Sequence, residues 1–211
     1  TAASLTKGFT EDELFGLIKG LQEFSVNLKT TLDPEKIIDL SGTGGDMLKT
    51  FNVSTAASFV VSGGEVMVAK QVFKAFSSPI GSSDLMTELG VTMPRTSEEI
   101  EFCLREVGIV PINYAYMYRG MEVRHKATTK LREMGLGLPT PMHPVAFIPH
   151  PFKLRRRIYG VFDQKYLWPI ANIFRRLHYK RALIFYGVDG LDEISTIGPT
   201  MIVELAKGKL Q

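Results

Sequence analysis

The sequence has little cysteine, little net charge and no long apolar run. One cysteine, Cys103, among 211 residues excludes an internal disulfide and fits a reducing compartment. The longest apolar runs fall well short of a membrane span, and no signal-peptide pattern opens the chain, so we expect a cytoplasmic protein with no membrane partner. A formal net charge of +3 is too small to argue for a nucleic-acid partner by itself.

From residue 37 onward, segments with the pattern of strands and of helices alternate. Short apolar runs predict buried strands at residues 37–40, 66–69, 109–112, 158–161 and 181–186. Helical spacing, caps and glycine stops predict helices at residues 56–64, 83–89, 97–107, 121–134 and 166–177. This alternation predicts an α/β fold: a mostly parallel central sheet flanked by helices.

The N-terminal segment precedes every predicted strand. Thr10 and Glu13 have the spacing of a capping box, and apolar residues follow them at helical intervals. We therefore expect residues 1–34 to be part of a small helical subdomain, with a hinge near residues 27–34. Residues 35–211 are then the α/β domain.

A glycine-rich stretch lies between the first predicted strand and the next helix. Residues 41–55 have the sequence SGTGGDMLKTFNVST. Glycines let the backbone approach an anion closely, and free N–H groups at a helix start point toward it. Ser54 and Thr55 could cap the helix or contact an oxyanion, and the Asp46 carboxylate favours a metal-bridged or ribose-bearing ligand. A plain tight turn with a capping hydroxyl explains the same spacing equally well.

Three further polar places follow predicted strands. Lys70 follows the second strand, a serine-rich loop covers residues 77–84, and Asp192 and Glu193 follow the strand at 181–186. Open α/β sheets bind ligands at the carboxyl ends of their strands, and paired carboxylates suit Mg²⁺. Taken singly, a serine cluster is usually a cap and an Asp-Glu pair is usually a solvated helix start. The four places together predict one ligand site.

These motifs carry a resemblance to a known family. GTGGD at 42–46, NVST at 52–55 and GVDGLDE at 187–193 are similar to the signatures of the anthranilate phosphoribosyltransferases of tryptophan biosynthesis, and the similarity extends over nearly the whole chain. The family combines a small helical domain with an α/β domain, a fold shared with pyrimidine nucleoside phosphorylases. Its chains begin earlier and end later, so we expect both ends to be missing here.

The resemblance implies a donor, a metal and an assembly. Mg²⁺ would be held by Asp192 and Glu193, with Ser54 touching a second ion, and a homodimer is implied when the full helical domain is present. No catalytic residue is implied beyond the substrate and metal ligands. Phosphoribosyl pyrophosphate would be held by Gly42, Thr43, Gly44, Gly45, Asp46, Thr50, Asn52, Ser54, Thr55, Lys70, Ser78 and Ser82.

The acceptor side departs from the family pattern. Where the family has Lys-His-Gly-Asn-Arg, residues 70–74 read Lys-Gln-Val-Phe-Lys. Val72 cannot easily adopt the positive φ open to glycine, and Phe73 replaces a polar contact to the acceptor. Leu131 stands where the family has a carboxylate-pairing arginine, and residues 139–151 replace an Asn-Pro-rich segment. We therefore expect an aromatic amine acceptor, either anthranilate handled poorly or another one.

Two other functions stay open. The basic run Arg155, Arg156 and Arg157 favours a non-catalytic or weakly nucleic-acid-binding relative, although a solvated loop explains it too. A nucleoside phosphorylase is the third hypothesis, but phosphorolysis would not need the Asp192-Glu193 pair. The four histidines have no metal-ligand spacing, and we expect them to be structural or solvated: His125, His143, His150 and His178.

Overall fold

The computed structural model describes residues 7–45, 50–74, 80–118, 126, 130, 134 and 143–211. Within them the helices are α1 (Glu11–Glu23), α2 (Val53–Gly63), α3 (Ser82–Glu88), α4 (Ser97–Glu106), α5 (Tyr114–Met117) and α6 (Leu167–Arg176). The strands are β1 (Ile37–Gly42), β2 (Met67–Val72), β3 (Ile109–Asn113), β4 (Arg156–Gly160), β5 (Arg181–Gly187), β6 (Thr200–Ala206) and β7 (Lys209–Leu210). None of the helices in these residues has the length and apolar character needed to cross a membrane.

The sheet confirms the predicted fold class. Its seven strands follow the order β3-β2-β1-β4-β5-β6-β7, and β1 to β5 are all parallel. The sequence pattern missed β6, which pairs antiparallel with β5, and the short β7 beside it. Two adjacent residues of β6, Met201 and Ile202, are both exposed, so the inside-outside alternation that marks a half-buried strand is confined to residues 203–206.

The chain reverses direction of travel across the sheet at β1. From β1 it proceeds to β2 and β3 on one side, and β4 and β5 lie on the other. Gly42, at the end of β1, is the register partner of Gly160, at the end of β4. In open α/β sheets such a switch point leaves a crevice at the carboxyl ends of the strands, where ligands bind.

Helix α1 begins as its capping box predicts. The Thr10 side chain accepts the Glu13 N–H, and the Glu13 carboxylate accepts the Thr10 N–H. The helix packs against α6, where the Arg176 guanidinium lies 4.0 Å from the centre of the Phe15 ring. The division into two domains at residue 34 stays a prediction.

Helix α2 begins earlier than its sequence predicts. Asn52 is its N-cap residue, although the Asn52 side chain makes no capping hydrogen bond. Ser54 and Thr55 therefore lie within the first turn, and neither is the cap that the sequence suggested. The predicted helix at 121–134 lies largely outside the described residues.

The basic run 155–157 is divided between surface and core, which corrects its interpretation as one solvated or nucleic-acid-binding patch. Arg156 is exposed, but Arg157 is only 1% exposed. The Arg157 guanidinium pairs with the Asp39 carboxylate at 2.6 Å and donates to the carbonyl oxygens of Ile148 and Phe147. A buried charge is retained when it is paired and hydrogen-bonded in this way. Arg157 therefore ties β4 to β1 and to the segment 143–152, and it cannot contact a nucleic acid.

Candidate active site

The Lys70 side chain connects the second strand to β1 and to the start of α2, the two elements on either side of the glycine loop. Strand β2 continues beyond the predicted end at residue 69, so Lys70 lies within it and is 2% exposed. Its Nζ donates to the Leu40 carbonyl oxygen at 2.6 Å and to Ser54 Oγ at 3.2 Å. Burial lowers the pKa of Lys70, while the nearby Asp39 and Glu193 carboxylates act in the opposite direction. The amine thus fixes the Ser54 side chain against β1.

Asp192 lies over the glycine loop. Its Oδ2 accepts the backbone N–H of Gly44 at 2.7 Å, and the residue is 8% exposed. Burial raises the pKa of Asp192, opposed by the Gly44 hydrogen bond and by the charge of Lys70. The residue lies in an irregular turn between β5 and β6, so the alternative of a solvated helix start is wrong.

Glu193 reaches the start of α2. Its Oε1 accepts the backbone N–H of Ser54 at 3.2 Å. The two neighbouring carboxylates therefore contact the glycine loop and the helix start, and the Ser54 hydroxyl belongs to that same helix start. Carboxylate and hydroxyl oxygens are hard ligands, so this donor set fits Mg²⁺, which commonly takes one or two carboxylates plus substrate phosphate oxygens.

The glycine loop has the backbone that its sequence requires. Gly44 and Gly45 have φ angles of +61° and +85°, a region that side-chain-bearing residues rarely adopt. A Cβ at Gly45 would lie 2.7 Å from His143 Nε2, and a Cβ at Gly44 would lie 3.9 Å from Phe73 Cζ. His143 and Phe73 thus lie directly beside the loop, a position that the sequence did not reveal for His143.

Several side chains that were predicted to bind phosphoribosyl pyrophosphate form hydrogen bonds within the protein. Thr43 Oγ1 accepts the Phe162 N–H at 3.0 Å, Ser82 Oγ accepts the Phe73 N–H at 3.2 Å, and Asn52 Nδ2 donates to the Ile80 carbonyl oxygen at 3.4 Å. The Thr43 and Ser82 hydroxyls therefore hold neighbouring loops in place. Thr43 and Ser82 could therefore contact a ligand only through backbone groups, or through the O–H donor and second lone pair of the hydroxyl.

Thr50 and Thr55 differ in their surroundings. Thr50 is exposed, whereas Thr55 is 1% exposed, and its Oγ1 has no hydrogen-bond partner within the part of the chain that the structure describes. Thr55 and Thr50 both line a mostly apolar cavity of about 450 Å³ between α2 and α3. Asp46 and Ser78, also predicted to hold the donor, lie outside the described residues.

Residues 71–73, which replace the family's acceptor motif, pack against other parts of the protein. Gln71 is fully buried, and its Nε2 donates to the Tyr118 hydroxyl at 3.0 Å and to the Pro149 carbonyl oxygen at 2.5 Å. Val72 ends β2 in an extended strand and is also fully buried. Phe73 stacks on Phe147 with ring centres 4.3 Å apart.

Residues 71 and 73 therefore pack against the segment 143–152. Residues 71 and 73 hold this segment through a buried amide and an aromatic stack, and Arg157 holds it through two carbonyl oxygens. Sequence reasoning missed the partners of these residues, because no local pattern joins position 71 to 149 or position 73 to 147. Leu131 and residues 139–142 lie outside the described residues.

The chain is similar in sequence and in fold to several known anthranilate phosphoribosyltransferases. The chain is 34% identical over 209 residues to anthranilate phosphoribosyltransferase 2 of Ralstonia nicotianae, covering 97% of this chain and 57% of the relative. It is 33% identical over 217 residues to the enzyme of Rubrobacter xylanophilus, covering 100% and 60%. The chain thus spans somewhat more than half the length of these curated relatives.

Solved structures give the same result. The anthranilate phosphoribosyltransferase of Thermus thermophilus superposes with a TM-score of 0.82 at 30% identity, covering 96% of this chain and 59% of that one. The Saccharomyces cerevisiae enzyme in complex with PRPP (phosphoribosyl pyrophosphate) and Mg superposes with a TM-score of 0.79 at 28% identity, covering 93% and 55%.

A family profile assigns the α/β part of the chain. The profile described as glycosyl transferase family, a/b domain, matches residues 34–211, which include every strand of the sheet and both carboxylates of the site. The chain therefore belongs to the glycosyl transferase family.

Proposed function

We propose that this chain carries the donor-binding half of a Mg²⁺-dependent phosphoribosyltransferase. It would transfer the phosphoribosyl group of phosphoribosyl pyrophosphate to an aromatic amine. The observation that carries the proposal is the placement of Asp192 on the Gly44 N–H and of Glu193 on the Ser54 N–H. It places oxygen ligands for a metal beside a glycine loop and a helix start, two backbone features that favour a phosphate.

The residues present would divide the work as follows. Asp192, Glu193 and the Ser54 hydroxyl would hold Mg²⁺, which when bound neutralises charge on the pyrophosphate leaving group. The N–H groups of the glycine loop and of the α2 start would orient the pyrophosphate oxygens. Lys70 donates a hydrogen bond to Ser54 Oγ, which fixes that side chain, and adds a nearby positive charge.

The reaction itself needs little from the protein beyond position and charge. The anomeric carbon loses its bond to the pyrophosphate oxygen as the amine nitrogen forms a bond to the same carbon. Positive charge develops on the ribose ring, and the nitrogen releases its surplus proton to solvent. An acceptor that is a weak base and is held in line requires no strong general base. This agrees with a site built from carboxylates and backbone N–H groups.

The acceptor side supports a changed substrate preference. Phe73, stacked on Phe147, stands beside the glycine loop where the family pattern has a polar residue. We infer that anthranilate, which carries a carboxylate, is a poor acceptor for this chain. A cytoplasmic location and a homodimer formed through a complete helical domain are parts of the same proposal.

The proposal is tested by calorimetric titration of the chain with phosphoribosyl pyrophosphate, with and without Mg²⁺. Binding that strengthens with Mg²⁺ is the expected result. Failure of the compound to bind under both conditions would refute the proposal.

A further inference from the structure

The last residue of β4 has no room for a side chain. A Cβ placed on Gly160 would lie 2.6 Å from the carbonyl carbon of Asp192 and closer still to its carbonyl oxygen, whereas real Cβ contacts essentially never fall under 3.0 Å. It would also lie 3.1 Å from Phe185 Cε2 on the neighbouring strand. The main chain of Asp192 therefore occupies the space that a side chain at residue 160, the end of β4, would need.

The last residue of β1 meets the other part of the same aspartate. A Cβ on Gly42 would lie 3.1 Å from Cγ of Asp192 and closer still to Oδ2, the oxygen that accepts the Gly44 N–H. Gly42 and Gly160 are register partners on adjacent parallel strands. One glycine therefore makes room for the backbone of Asp192 and the other for its carboxylate.

We propose that Gly160 and Gly42 are positioning residues for the Asp192 carboxylate as a metal ligand. This inference rests on the proposed function. A side chain at either position would lift Asp192 away from the glycine loop and misplace its oxygens relative to Glu193 and Ser54. Changes to groups that orient metal ligands typically weaken metal affinity by one to two powers of ten. The two glycines act through Asp192 and contact neither metal nor substrate in this account.

The test uses a spectroscopic readout of the metal. Mn²⁺ takes the oxygen ligands that Mg²⁺ takes, and the electron paramagnetic resonance signal of free Mn²⁺ reports its binding. The chain is titrated with Mn²⁺ in the presence of inorganic pyrophosphate, and a protein-free titration with the same pyrophosphate is the reference, because pyrophosphate itself binds Mn²⁺. Pyrophosphate binding without metal is measured separately by calorimetry. Gly160→Ala should weaken Mn²⁺ binding roughly 10- to 100-fold. It should leave metal-free pyrophosphate binding near that of the parent, a split that general damage to the fold would not give.

Gly16→Ala is the matched control. Gly16 lies in α1, and a Cβ there would meet nothing within 4 Å. This variant should bind Mn²⁺ as the parent does. If Gly160→Ala does not fold, Gly42→Ala decides, because its conflict is with a side chain that can rotate away. The same selective loss of Mn²⁺ binding is expected.

The two possible failures are distinguishable. Mn²⁺ affinity equal to that of the parent in a folded Gly160→Ala or Gly42→Ala protein would overturn the positioning role. Absence of Mn²⁺ binding by the parent itself, with pyrophosphate present, would overturn the proposed function on which this role rests.

Discussion

The carboxylate of Asp192 accepts the backbone N–H of Gly44 at 2.7 Å, across a sequence separation of 148 residues. Glu193 makes the parallel contact to the N–H of Ser54. The two acidic residues thus contact the glycine loop and the start of α2, although both elements are more than 130 residues away in the sequence.

The buried pair of Arg157 and Asp39 should be essential for stability. Removing one partner leaves an uncompensated buried charge, so Arg157→Ala should lower the free energy of unfolding by about 3–5 kcal/mol. Arg156→Ala, at the neighbouring exposed position, should change it by less than about 0.5 kcal/mol. Urea denaturation of both variants measures the difference. Equal effects at the two positions would mean that Arg157 is not buried as described.

Stability should fall on mild acidification because of His150. This residue is 8% exposed, its Nδ1 accepts the Phe152 N–H, and its Nε2 lies 3.0 Å from the Ala69 carbonyl oxygen. Burial lowers the pKa of His150 to about 4 from an ordinary value of 6.5. Between these pH values the unfolded chain binds a proton that the folded chain does not. The free energy of unfolding should therefore decrease as the pH falls from 6.5 to 4, by about 3 kcal/mol from this residue.

Denaturation curves across that pH interval test the role of His150. His150→Gln should remove this part of the pH dependence, while His178→Asn, a change at an exposed histidine with a φ of +61°, should retain it. Identical pH dependence in the parent and in His150→Gln would contradict the assignment.

Phe73 and Phe147 should be energetically coupled. Their rings stack at 4.3 Å with planes 16° apart, and stacked pairs contribute about 0.5–1.5 kcal/mol beyond their buried area. The measurement is a double-mutant cycle of Phe73→Leu and Phe147→Leu by urea denaturation. Additive effects within about 0.3 kcal/mol would show that the stack does not hold the segment 143–152 to β2.

The acceptor side should make anthranilate a slow substrate. We expect turnover well under about 1 per second, a modest rate for enzymes, because Phe73 lies beside the glycine loop. Phe73→Asn should raise the rate if the ring is the obstacle. Replacing Gln71 together with it is a poorer test, because Gln71→His would also break buried bonds to Tyr118 and Pro149. Ordinary turnover by the unmodified chain would refute the argument.

Local sequence patterns predicted the parallel sheet and pointed to polar residues at strand ends, because strand ends and glycine turns carry local signals. The binding roles of those residues stay predictions. Asp192 and Lys70 were found because each closely follows or ends an apolar run. The burial of Arg157 was not predictable, since its partner Asp39 is 118 residues away and its neighbours are basic. The role of Gly160 was hidden for the same reason: the group that excludes a side chain there belongs to Asp192, on a distant turn.

The most direct test of the central claim, that the two carboxylates hold Mg²⁺, replaces both of them in one variant. Phosphoribosyl pyrophosphate is titrated calorimetrically, with and without Mg²⁺, into the parent and into Asp192→Asn with Glu193→Gln. Glu88→Gln with Glu98→Gln, at exposed positions of α3 and α4, gives the same charge change as a control. The parent and control should bind at least about tenfold more tightly with Mg²⁺, a gain of about 1.4 kcal/mol, and the carboxylate variant should show no gain. Mg²⁺-dependent binding that is unchanged in the carboxylate variant would contradict the account.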